Sequence, residues 1–154
     1  MSFHLNLETE RVEHAYPKPP LCVEADATIA TAVDRLNAAH RGGAIVVENE
    51  QVVGVFTERD VLRLIAKGES LQRPVRSVMT ADPVTVKKTD TVGRAIELMA
   101  TGGYRRLPIV DDDHRPIGTI TVSGILHYLV EHFPTIVYTL PPTPHHWMQE
   151  REGA

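Results

Sequence analysis

Gly54-Val55-Phe56-Thr57-Glu58-Arg59-Asp60 is answered sixty-four residues later by Gly118-Thr119-Ile120-Thr121-Val122-Ser123-Gly124. Each stretch opens on residues suited to a pleated strand and reaches a threonine that can cap a following helix. Working outward, a shift of 63 lays Pro20, Val23, Thr28, Ala32 and Val47 on the identical Pro83, Val86, Thr91, Ala95 and Val110. The same shift sets Ile29 on Val92, Val33 on Ile96 and Leu36 on Met99. One extra residue between Asp111 and Pro116 changes the offset to 64, and a surface turn absorbs such an insertion. The chain is therefore an internal repeat, and both halves must be read together.

Each copy predicts the same order of elements. An extended piece (Leu21 to Val23; Val84 to Val86) leads to a capping threonine and a helix with an apolar stripe at Ile29, Val33 and Leu36, or at Val92, Ile96 and Met99. A hairpin follows: Ala44 to Val47 with Val52 to Phe56, then Leu107 to Val110 with Ile117 to Thr121. A second helix closes each copy, from Glu58 to Lys67 with Gly68 as its stop, and from Val122 to His132 with Pro134 beyond it. Units of about 50 residues rarely fold alone, so the two copies are expected to pack on one another about a pseudo-twofold axis. The resulting division is a lead-in over 1–16, a first repeat over 17–76, a second over 77–134, and a proline-rich arm over 135–154, expected to be extended and docked.

Composition removes several function classes. With 42% apolar and 23% charged residues, the chain of 154 is globular rather than disordered. A net charge of −4 argues against a nucleic-acid role, which needs a basic face. No apolar run reaches the roughly 18 residues of a membrane helix, and the single cysteine, Cys22, allows no internal disulfide. A cytoplasmic protein is expected. Eight histidines are scattered without zinc-ligand spacing, so no metal is expected, and no triad, P-loop or paired-carboxylate motif supports catalysis.

A β-α-β-β-α unit occurring twice, with Gly54 to Asp60 at a strand-to-helix junction and Arg106-Leu107-Pro108-Ile109-Val110-Asp111 on a hairpin, resembles the tandem cystathionine β-synthase (CBS) domain pair, or Bateman module. The resemblance runs from about Pro17 to Phe133 and implies an α+β fold of two CBS repeats. It further implies a regulatory module that binds an adenosyl ligand: AMP, ADP, ATP, S-adenosylmethionine or NAD. In that family the Gly-x-x-Thr-x-x-Asp pattern serves such ligands, which gives Thr57 the phosphate and Asp60 the two ribose hydroxyls. By position, Leu21, Cys22, Val23, Ala44 and Val55 would line the base. The family commonly pairs its modules face to face, so a homodimer and a regulated protein partner are expected.

Elementary chemistry allows a blander assignment for the same residues. Thr57 with Asp60 three positions later is also a near capping box, and an acid in the first helical turn is stabilising with no ligand present. The second copy keeps the threonine but has Gly124 in place of the acid, so the helix start does not demand a carboxylate. The second cleft, with Thr80, Val84, Thr121 and Ser123, should therefore take a nucleoside poorly, and Gly124→Asp should improve it. Arg105 and Arg106 open the second hairpin where the first has Gly42 and Gly43. Their planar forks suit phosphate, or they form ion pairs with Asp111 or Glu97. Two rival functions stay open: a ligand-free dimerisation module in which Asp60 only caps, and an enzyme acting on a small molecule.

Overall fold

The computed structural model describes residues 7–132; the arm over 135–154 lies outside them. The first unit runs β1 (Cys22–Glu24), α1 (Ile29–Ala39), β2 (Gly43–Glu48), β3 (Gln51–Thr57) and α2 (Glu58–Ala66). After β4 (Thr80–Ala81), the second runs β5 (Val86–Lys87), α3 (Val92–Gly102), β6 (Arg106–Val110), β7 (Pro116–Thr121) and α4 (Val122–His132). Thr28 caps α1 by accepting from Thr31 N, and Thr91 caps α3 by accepting from Arg94 N, as their equivalent positions require. Asn49 and Glu50, both at positive φ, form the tight turn of the first hairpin. In the second, Asp111 Oδ1 accepts from the amides of Asp113 and Arg115 at 2.9 Å each, and this side-chain-closed turn holds the extra residue.

The sheets are ordered β1-β2-β3-β4 and β5-β6-β7, each with one parallel pair followed by antiparallel pairing. Even the irregularities repeat: register shifts fall between Val46 and Val47, and between Ile109 and Val110. One core gathers Val23, Ile29, Ala32, Leu36, Val46 and Phe56 under the first sheet, and another gathers Val86, Val92, Met99, Leu107, Ile120 and Tyr128 under the second. A smaller cluster of Ile45, Val47 and Val52 with Val110 joins the two units.

The segments that precede the repeats are exchanged. Val12, buried completely, belongs to the second core and donates its amide to Asp90 O at 2.8 Å; Glu10 O accepts from Val92 N at 2.8 Å. Sixty-three residues on, Val75 is buried in the first core, donates to Ala27 O at 2.8 Å, and Arg73 O accepts from Ile29 N at 2.9 Å. The edges follow suit: Lys18 exchanges two 2.9 Å bonds with Thr119, while β4 pairs with β3 at Gly54 and Val55. The residues read as a lead-in thus supply Leu7, Val12 and Ala15 to the far unit's core. Their burial follows from a repeat too small to cover its own helices.

Candidate functional site

The first junction is a strand end converted into a helix start. Thr57 has an extended backbone (φ −126°, ψ 167°), and its Oγ1 accepts from Asp60 N at 3.4 Å. Asp60 Oδ2 accepts from Thr57 N at 2.8 Å and from the Thr57 hydroxyl at 3.2 Å, completing a capping box. The second carboxylate oxygen, Oδ1, lies 3.8 Å from Arg63 Nη1, and the side chain is 15% exposed. Beside it opens a cleft of about 310 Å³ whose wall includes Arg63, Arg73, Ser77 and Val78. Ser77 and Val78 belong to the exchanged segment, so this cleft is built from the first helix start and the chain leading into the second repeat.

The second junction keeps the cap and fills the remaining space. Thr121 Oγ1 accepts from Gly124 N at 2.9 Å. A Cβ on Gly124 would stand 3.0 Å from Ala15 O and 3.1 Å from Tyr16 O, because the lead-in backbone crosses this helix start. The expectation that Gly124→Asp would improve the second cleft is corrected accordingly. A carboxylate there would crowd two carbonyl oxygens that offer it no hydrogen-bond donor.

Strand alternation divides the five residues expected around a base. Val23 and Ala44 are buried in the first core beneath the helices, and Leu21 packs against the same core. Cys22 packs instead on the Ile45, Val47 and Val52 cluster, and Val55 pairs with Ile45 in the neighbouring strand. Side chains one position apart on a strand point to opposite faces, so these residues cannot surround one ring together. Burial raises the Cys22 thiol above its usual range, with the Glu24 charge acting the same way and Arg35 opposing it. The thiol is a packing group.

Arg105 and Arg106 are brought to Thr121 and Ser123. All four line a cavity of about 330 Å³ with Lys18, Arg41, Gly42 and Gly43. The Arg106 side chain lies across the glycine pair: a Cβ on Gly42 would fall 2.8 Å from its Nη2, and one on Gly43 would fall 2.8 Å from its Cδ. The two glycines are needed for this close approach. Burial lowers the Arg106 guanidinium below its usual range, the like charges of Arg105 and Arg41 lower it further, and Glu58 partly offsets them. Among the described residues, neither Arg105 nor Arg106 has a recorded ion pair with Asp111 or Glu97. Thr80 and Val84 are placed elsewhere. Thr80 pairs with Val55 on the edge of the first sheet, and Val84 packs against the second core. Sequence reasoning missed Lys18 and Arg41, which carry no local motif and reach the cavity only through the fold.

The model of the CBS domain matches residues 12–67 and again residues 75–131. The chain belongs to the CBS domain family. This CBS pair is similar to the CBS domain protein PAE2072 from Pyrobaculum aerophilum, solved in complex with AMP. The TM-score is 0.71 at 26% identity, covering 79% of this chain and 98% of that one. The CBS domain pair of protein MJ0100, in complex with 5'-methylthioadenosine and S-adenosyl-L-methionine, shares the fold at TM-score 0.71 and 22% identity, over 77% of this chain and 98% of that one. Among curated relatives, inosine-5'-monophosphate dehydrogenase of Methanocaldococcus jannaschii is 36% identical over 118 residues, 76% of this chain and 23% of that protein. An uncharacterized protein of Methanopyrus kandleri is 38% identical over 98 residues, 59% of this chain and 50% of that protein. The CBS pair thus spans about a quarter to a half of the length of these relatives. No helix among the described residues is long and apolar enough to cross a membrane.

Proposed function

We propose that this CBS pair is a non-enzymatic regulatory module that binds one adenosyl ligand per chain at the first junction. The observation that carries the reading is the asymmetry of the two helix starts. Asp60 stands in a cleft with a carboxylate oxygen free of the cap, whereas the equivalent Gly124 is covered by the lead-in. Thr57 and the α2 amides favour an anionic group, Asp60 Oδ1 accepts from ribose hydroxyls, and Arg106 brings positive charge over Gly42 beside Glu58, the first residue of α2. The AMP complex of the Pyrobaculum aerophilum protein supports this ligand class. The test is calorimetric titration with adenosine, AMP, ADP, ATP, S-adenosylmethionine and NAD. One site per chain for at least one of them is expected; no heat from any member sinks the reading.

The signal passes through association of chains. Leu62 and Ile65 on α2 are 67% and 60% exposed, and Leu126 on α4 is 56% exposed, which leaves an apolar strip on the last helix of each unit. A homodimer covers these strips, and light scattering should give twice the 17.1 kDa chain mass. The completed Thr57–Asp60 capping box favours a second reading, a ligand-free dimerisation module in which Asp60 only stabilises α2. Substitution of Asp60 separates the two readings.

A further inference from the structure

The cavity between Gly42–Gly43 and the start of α4 differs in kind from the cleft at Asp60. Four cationic side chains, from Lys18, Arg41, Arg105 and Arg106, line its 330 Å³, and no acidic side chain does. They come from four separate places in the chain: the exchanged lead-in, the end of α1, and the two residues that open β6. Thr121 and Ser123 add hydroxyls on the remaining wall. Arg41 donates to Pro19 O at 3.0 Å, which holds it in place without neutralising it. Glu58 is the acid whose charge reaches Arg106, and it faces like charges from Arg105 and Arg41. A half-buried guanidinium so placed has lost water without gaining a matching counter-ion, an arrangement stabilised by an anion brought in from outside.

The size and chemistry of the walls narrow that anion. At about 30 Å³ per water, the cavity has room for roughly ten water molecules, and a lone phosphate fills only part of it. Cations spread along the wall match an anion with several separated negative oxygens, and arginine forks bind phosphate oxygens in pairs. No carboxylate is present to receive ribose hydroxyls, since the Asp60 equivalent is Gly124. We propose that this cavity is an oligophosphate site, which takes an inorganic di- or triphosphate, or the phosphate tail of a nucleotide, without recognising a nucleoside. The site stands whether or not an adenosyl ligand occupies the first cleft.

The full chain is titrated with orthophosphate, diphosphate and triphosphate at constant ionic strength, against sulfate as control. Affinity should rise along the series, with one triphosphate bound per chain. Arg105 and Lys18 are both exposed, so Arg105→Gln and Lys18→Gln should fold as the parent does. Each should weaken triphosphate by about tenfold, the equivalent of about 1.4 kcal/mol. Asp60→Asn should leave triphosphate binding unchanged, which separates this site from the adenosyl reading. ATP and adenosine then serve as competitors. Displacement by ATP but not adenosine identifies a nucleotide tail as an occupant; triphosphate retained beside bound ATP assigns the cavity to the inorganic anion. Both outcomes sustain an oligophosphate site. Triphosphate bound no tighter than sulfate, or bound equally well by both charge variants, or lost with Asp60→Asn, overturns it.

Discussion

Replacing Asp60 by alanine and, separately, by asparagine divides capping from ligand binding, because the structure assigns each carboxylate oxygen a different neighbour. Oδ2 holds the Thr57 amide at 2.8 Å, so Asp60→Ala leaves that half-buried donor without its acceptor and removes an acid from the first turn. The two losses cost about 0.5–2 kcal/mol for the cap and about 0.3–1 kcal/mol for the helix dipole. In a chain of 154 residues, each kcal/mol lowers Tm by about 2–4 °C. Asp60→Asn keeps an oxygen for Thr57 N and gives up only the charge, and the Arg63 contact at 3.8 Å contributes little at the surface. Its Tm should fall by no more than about 4 °C. Adenosyl binding should suffer alike in both variants, since a hydrogen bond to a charged group contributes about 1.5–3 kcal/mol, or roughly tenfold to 150-fold in affinity. Thermal unfolding supplies the first quantity and calorimetry the second. If Asp60→Asn binds within threefold of the parent, the ribose assignment is wrong and the carboxylate is a cap.

Three further outcomes follow from the fold. Val12→Ala and Val75→Ala should each destabilise by about 2–3 kcal/mol, from two lost methyl groups and the cavity they leave. Hydrogen exchange should place the lost protection in the unit each residue is exchanged into, α3 and α4 for Val12, α1 and α2 for Val75; protection lost in the residue's own unit refutes the exchange. Gly124→Asp should gain up to about 1 kcal/mol of helix propensity and lose about 1–3 kcal/mol to overpacking against Ala15 and Tyr16, so it should lower Tm and bind no second nucleoside. Burial, with Glu10 and Tyr16 acting in the same direction, pushes the Tyr128 phenol up to about 12. Its folded pKa lies above the unfolded value near 10, so its contribution is complete below pH 10 and is lost as pH rises towards 12. Denaturant titrations should show that decline in the parent and a smaller one in Tyr128→Phe.

The parts of this fold that were legible in sequence are those fixed by local chemistry. Thr28, Thr57 and Thr91 announce helix starts because a hydroxyl meets an amide three residues on, and the hairpins announce themselves through β-branched runs around polar turns. The site was legible at Thr57 and Asp60 for the same reason. Thr80 was assigned to the wrong unit because a two-residue edge strand has no periodicity of its own and is recruited by the unpaired edge of β3. Val23 and Ala44 were placed at a ligand although the alternation that buries them, against Cys22 and Val55 on the other face, was already present in the strands. The covering of Gly124 by Ala15 and Tyr16 is a contact between segments more than 100 residues apart, for which no local pattern exists.

The reciprocal placement of Val12 and Val75 also bears on what counts as one copy of this unit. A single repeat with its own leading segment could not shelter its core with that segment; it would lend it to a second molecule and borrow one in return. Two such molecules would form a domain-swapped dimer, and the chain described here has that dimer's geometry with the two members fused through the 69–80 linker. Fusion replaces a concentration-dependent encounter by an effective concentration in the millimolar range for a short tether, so closure no longer depends on how much protein is present. It also releases the two helix starts from identity. Once they belong to one gene, one can keep an aspartate while the other becomes a glycine beneath a crossing strand, and a symmetric pair of pockets can diverge into two sites of different chemistry.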